Sequence, residues 1–264
     1  MILQQTADGL LLFRQTDHAL LSGSFAAVWG SDAILVPPRP GSTIIAAARH
    51  DDGWGDWELA PRLKEDGSPV DFLGIPVHEH VALYRHGIDL VCEEDDFAGL
   101  VVSLHGQRLY TRPFHRGMKP RIENLRGEQR RLAQVHVDHE HERQLSLAKR
   151  LDRDAIADAE ECWRLVQVWD RMSLFVCMQP LNGNGSSSMP PMRGPSGDDL
   201  QLQINSTADG AMEIHPYPFG STPLTFEIEA SVLPGTSWPD ERAYRLAYRT
   251  ASRRTIAFEC GPAR

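Results

Sequence analysis

The chain is poor in the features that announce a function. Among 264 residues there are four cysteines, Cys92, Cys162, Cys177 and Cys260, with no C-x-x-C pair among them. That spacing excludes a disulfide framework and a cysteine-rich zinc knuckle, and it suits reduced thiols in a cytoplasmic protein. Cys162 and Cys177 lie in apolar helical stretches and read as small core residues. No run approaches eighteen apolar residues, so a spanning helix is not expected. The first residues, MILQQTADGLLLF, lack the basic segment and long apolar run of a signal peptide. Positive charge is also short, with 27 Lys and Arg against 36 Asp and Glu, a net charge of −9. Such a surface disfavours nucleic acid and anionic membranes, while a small-molecule substrate in a pocket remains compatible with it. P-loop, GxGxxG, GxSxG and HExxH patterns are all missing.

Histidine is plentiful, at eleven residues. The apolar fraction of 41% and charged fraction of 24% describe an ordinary globular chain whose core needs no staple.

The pattern of elements is helices first, strands later. Two apolar runs around Ala7-Asp8-Gly9 predict a hairpin over 2–14. Thr16 or Asp17 would cap a helix running to about Trp29, ended by Gly30. A second helix starts at Ser42 or Thr43 and runs through IIAAARHD. Residues 56–76 read as a long ordered loop, of the kind that often serves function. Helices follow from Pro76 to about Cys92, from Asp95 to Tyr110, within the charged stretch 119–152, and from Asp154 to Met178. Residues 181–199, rich in Gly, Ser and Pro, read as a linker or loop. Beyond them LQLQI, MEIHPYPF, LTFEIEASVL and TIAFEC alternate with period two, as strands do, with a helix over 238–251. The expectation is an α+β protein. A helical domain with its hairpin would occupy 1–180, and a small antiparallel sheet from 200–264 would pack on it, with the hairpin as a candidate further member.

Helical spacing then singles out a constellation. His18 shares a face with Leu21, Ser22, Phe25 and Trp29. His50 lies with Ala46 and Ala47, His105 with Ala98, Val101 and Val102, and Asp170 with Trp163, Val166, Leu174 and Cys177. Spacings of three, four and seven put all four on apolar faces, with Asp51 directly after His50. A buried carboxylate without a partner is costly. Three imidazoles and two carboxylates make a cage for zinc or another transition metal, which removes that cost for all of them.

The order H…HD…H…H…D, each part on its own helix, resembles the HD superfamily. The match rests on DHALLSGSFAAVW, IIAAARHDDGW, LVVSLHGQRLY and LVQVWDRMSL. The resemblance implies an HD-like helical metal-binding core. It also implies a metal-dependent phosphohydrolase acting on a small phosphoester, or else a di-iron oxygenase. One or two divalent ions (Fe, Mn or Zn) would be held by His18, His50, Asp51 and Asp170. A second ion would use His105 and either His80 or His78, with His80 preferred for its spacing to Leu83, Tyr84 and Gly87. The HDDGW segment departs from the HD-apolar-Gly-Lys pattern of the phosphohydrolases, so the lysine that would hold phosphate is missing. The chain also resembles DUF3891, a bacterial family of unknown function, through HDxGWxxWE (His50–Glu58), SLH (Ser103–His105) and WDxxSL (Trp169–Leu174).

Nearby residues take supporting roles in this reading. Asp51 and Glu58 would act on protons. Trp54 would wall the pocket, and Arg108, like Arg49 and Arg85, would meet an anionic substrate. His136, His139 and His141 read as the exposed face of a charged helix, and His215 as structural. A non-catalytic binding protein with a metal-stabilised core stands as the third functional expectation.

Overall fold

A computed structural model describes residues 1–112 and 121–263. The first hairpin pairs β1 (Ile2–Thr6) with β2 (Gly9–Phe13), Thr6 opposite Gly9. Gly9 sits at φ +147, and a Cβ there would come within 2.1 Å of the Leu233 carbonyl oxygen. Glycine is thus what lets a third strand approach the turn.

Helix α1 (Gln15–Ala27) follows, with Arg14 rather than Thr16 or Asp17 at its N-cap position and no side-chain cap there. Asp17 falls in the first turn, accepts two hydrogen bonds from the Arg14 guanidinium and favours the helix N-terminus electrostatically. Helix α2 (Pro40–Arg49) starts two residues before Ser42, with Pro40 in its first turn, where a missing N–H costs nothing. A 3₁₀ turn (Asp52–Trp54) leads into the short α3 (Gly55–Leu59), which overlaps the start of the segment 56–76 read as loop. Then come α4 (Val77–Glu94), α5 (Asp96–Thr111), α6 (Gly127–Ala148) and α7 (Ala155–Met178). Of the charged stretch 119–152, residues 119 and 120 lie outside the described part of the chain.

Residues 181–199 carry short strands rather than a bare linker: β3 (Ser186–Ser188), β4 (Met192–Arg193) and the start of β5 (Asp199–Leu200). Strands β6 (Gln203–Ser206), β7 (Met212–His215) and β8 (Leu224–Leu233), helix α8 (Glu241–Thr250) and β9 (Ser252–Pro262) complete the chain.

The sheet is larger than expected and not wholly antiparallel. Seven strands run in the order β1-β2-β8-β9-β7-β6-β3, beside a separate β4-β5 pair. The N-terminal hairpin joins it through β2 and β8. After α8, strand β9 inserts between β8 and β7, antiparallel to the first and parallel to the second. That parallel pair corrects the expectation of a purely antiparallel sheet.

Helices and sheet share one apolar core that runs from Ile2 through Phe25 and Trp169 to Phe226 and Phe258. Phe25 of α1 meets Phe226 of β8 edge-on at 4.7 Å between ring centres. Burying each such ring contributes about 2 kcal/mol. The chain is therefore an α+β protein in which the sheet braces α1 and α7.

Candidate metal centre

Four helices and one turn bring the expected donors together. His18 comes from α1, His50 from the end of α2, Asp51 from the turn that follows, His105 from α5 and Asp170 from α7. Nitrogen or carboxylate atoms of His18, His50 and Asp51 all lie within 4.8 Å of one another, and so do those of His50, His105 and Asp170. His50 belongs to both groups and stands between His18 and His105, with ring centres 5.1 and 5.0 Å away. All are buried except Asp170, whose side chain is 19% exposed.

The chain aims each donor. His50 Nδ1 donates to the Ala47 carbonyl oxygen at 2.8 Å, so Nε2 faces the cluster. That Nε2 lies 3.8 Å from Asp51 Oδ2 and 3.8 Å from Asp170 Oδ1, and it has no hydrogen-bond partner although it is buried. His18 Nε2 is 2.9 Å from Asp51 Oδ2, and its Nδ1 is 2.9 Å from the Ser173 hydroxyl. Ser173 in turn donates to the Asp170 carbonyl oxygen. The Gln167 side-chain amide meets His105 Nδ1 at 2.9 Å. Asp51 also accepts from the Gln15 amide at 3.1 Å and from the Tyr84 hydroxyl at 2.6 Å.

Charge follows from this packing. Burial alone would lower His50, but the charges of Asp51 and Asp170 outweigh it and raise the imidazole to about 9. Burial, then the His50 charge, push His105 down to about 4. Burial would raise Asp51 and Asp170, yet the surrounding histidines hold both below the ordinary carboxylate range. His50 Nε2 stands 3.8 Å from each of two carboxylates without a hydrogen bond to either, and a divalent cation in place of its proton would satisfy all three groups, so the residues present fit a metal.

Other expected residues lie elsewhere. His80 is buried, with Nδ1 2.7 Å from the Tyr110 hydroxyl and its ring on Tyr84, and it is in neither donor group. His78 is 65% exposed. Glu58 is buried but engaged at Oε1, 3.0 Å from the α-amino group of Met1 and accepting from the Gln15 backbone N–H at 2.7 Å. Trp54 is buried against Trp57 and His80. Arg108 forms a two-pronged ion pair with Glu160 and lies over the Trp163 ring. Arg49 is held by Asp52 and Glu94.

His136 departs from its expected exposure. It is fully buried on α6, its Nε2 donating to the Gly106 carbonyl oxygen at 3.3 Å, while His139 is 45% exposed. The stripe Ala133, His136, Glu140 and Leu147 is the buried face of this charged helix.

Gln15, Tyr84, Gln167 and Ser173 complete the centre and were not singled out from the sequence for this role. Tyr84 carried a signal, since it follows His80 by one helical turn. Ser173 carried another, three residues after Asp170.

Fold and site together define an α+β protein with a buried cluster of three histidines and two aspartates between its helices. The chain belongs to DUF3891, a family of proteins of unknown function, whose model matches residues 1–235. That span holds every residue of the cluster and ends before α8. Neither curated proteins nor solved structures give a match.

Proposed function

We propose that this chain is a metal-dependent hydrolase of the HD type, acting on a small phosphoester or a related substrate. The observation that carries the proposal is the buried Nε2 of His50, which makes no hydrogen bond, at the meeting point of His18, Asp51, His105 and Asp170. His18, His50, Asp51 and Asp170 would hold one ion of iron, manganese or zinc, with His105 beside them. Such an ion, when bound, lowers the pKa of a coordinated water toward neutrality and polarises a phosphoryl oxygen.

The protein's own groups divide the remaining tasks. Asp170, the exposed member, marks the side from which substrate enters, and its carboxylate takes the proton from the attacking water. Asp51 is anchored on both oxygens and serves as a holder. His105, neutral because of its burial, is available as a further nitrogen donor. Glu58, expected to move protons, is engaged elsewhere by the Met1 amine and the Gln15 N–H.

One ion is better supported than two. Because Nδ1 of His50 is spent on Ala47, its single remaining nitrogen serves one cation. His80, the expected further ligand of a second ion, packs on Tyr84 and Tyr110 instead. This weighs against the di-iron oxygenase reading. A metal-stabilised binding protein stays as the second reading, supported by the near-complete enclosure of four of the five donors.

Elemental analysis of protein purified without chelator, beside the His50→Ala/Asp51→Ala double variant, tests the proposal. About one equivalent of manganese, zinc or iron in the parent alone, with phosphoester turnover lost in Asp51→Ala, is the expected result. Two equivalents of iron would move the assignment to the oxygenase. Metal without turnover over a broad phosphoester panel would favour the binding protein. No metal, even after reconstitution, would overturn the centre itself.

A further inference from the structure

The Tyr84 hydroxyl donates to Asp51 Oδ1 at 2.6 Å from within the protein. The other oxygen, Oδ2, faces His18 Nε2 at 2.9 Å, Gln15 Nε2 at 3.1 Å and His50 Nε2 at 3.8 Å. The two oxygens are thus sorted, one against a phenol and one toward the donor cluster.

What brings Tyr84 there is a run of glycines. Helix α4 lies so close to the turn after Asp51 that a Cβ on Gly53 would fall 1.9 Å from the Leu83 carbonyl oxygen. A Cβ on Gly87 would fall 2.6 Å from the Gly53 backbone nitrogen. On the other side, a Cβ on Gly106 of α5 would sit 3.2 Å from the Tyr84 ring. Glycine at 53 and 87 removes the side chains that would hold α4 off. The ring is then fixed by His80 at 4.6 Å and His105 at 6.1 Å.

Resting on the metal reading above, we propose that Tyr84 is a positioning residue of the centre: by occupying Asp51 Oδ1 it restricts the carboxylate to one oxygen, Oδ2, toward the ion. The glycine contact between the HDDGW turn and α4 exists, in this account, to deliver that hydroxyl. Partners that orient metal-binding carboxylates typically govern affinity by 10–100-fold.

Co²⁺ is the probe, titrated into the full-length, metal-stripped chain and followed by its visible d–d bands. Tyr84→Phe keeps the ring and removes the hydroxyl. The expected result is a loss of Co²⁺ affinity of about 10–100-fold, with weaker bands as Asp51 turns to offer both oxygens and the coordination number rises. Tyr110→Phe, which removes a hydroxyl from the same aromatic layer without touching Asp51, is expected to keep the parent affinity and spectrum. Parent-like affinity and spectrum in Tyr84→Phe would overturn the proposal while leaving the metal centre standing. An equal loss in Tyr110→Phe would overturn it too, by showing that the layer responds as a block. A parent chain that takes up no Co²⁺ would remove the metal reading and this proposal with it.

Discussion

Replacing His50 by alanine separates the electrostatic role of this imidazole from its role toward a cation. Without a cation, His50 supplies the positive charge that Asp51 and Asp170 share, each 3.8 Å from its Nε2. Removing one partner from a buried ionic cluster costs about 3–5 kcal/mol. The lower end applies here, because His18 still lies 2.9 Å from Asp51 and Asp170 is partly exposed. About 3 kcal/mol lowers the melting temperature of a domain this size by about 6–12 °C. In the parent, a divalent cation at 100 times its dissociation constant adds about 2.7 kcal/mol, or about 5–10 °C. Thermal unfolding by circular dichroism, with chelator and then with Zn²⁺ or Mn²⁺, reads both numbers. The expected variant melts lower in chelator and gains almost nothing from metal. A His50→Ala chain that keeps the full metal increment would refute the placement of His50 at the centre.

Three more outcomes are expected. His136 is held near 4 chiefly by burial, against about 6.5 unfolded. Its contribution is therefore present above pH 6.5 and lost as pH falls through 4. Urea unfolding at stepped pH should show the parent losing about 3 kcal/mol more than His136→Gln between pH 7 and 4; parallel profiles would contradict this. Gly53→Ala should cost about 3 kcal/mol, because its Cβ would collide with the Leu83 carbonyl oxygen 1.9 Å away; an unchanged urea midpoint would disprove the close approach of α4. Arg108→Ala should cost about 1 kcal/mol through the lost Glu160 pair and Trp163 contact, and leave Co²⁺ affinity untouched. A weakened ion would place Arg108 nearer the centre than its contacts do.

The donor cluster was legible because each donor sits on an apolar helical face, and an inward polar residue at such a spacing has few places to go. His18, His50, His105 and Asp170 met for that reason alone. For His80 the same logic reaches only as far as burial: an inward face says that a side chain is buried, not which neighbour it meets, and Tyr84 and Tyr110 are among its neighbours. Tyr84 itself reads as an ordinary core aromatic until the chain folds. Its contact with Asp51 spans 33 residues and depends on two glycines whose closeness no local pattern encodes. His136 was misjudged because charged neighbours on α6 mask a narrow buried stripe. The strands in 181–199 escaped because two- and three-residue strands carry no periodicity, and their pairing with β6 and with each other is what defines them.

Charge balance bears on how many ions such a centre holds. The five donors bring two carboxylates and three imidazoles. With the imidazoles neutral, one divalent cation cancels the two carboxylates and leaves a buried group of no net charge. A second divalent cation would add two uncompensated charges in a setting where burying even one costs several kcal/mol. The buried carboxylate of Glu58 already faces the Met1 amine. On the proposed metal reading, this charge count would favour one ion at rest, with a second entering only beside an anion that balances it. A phosphoester arriving past Asp170 would bring that negative charge. On this reasoning, extra metal uptake should follow substrate rather than precede it, which sets this centre apart from one built around two permanent irons.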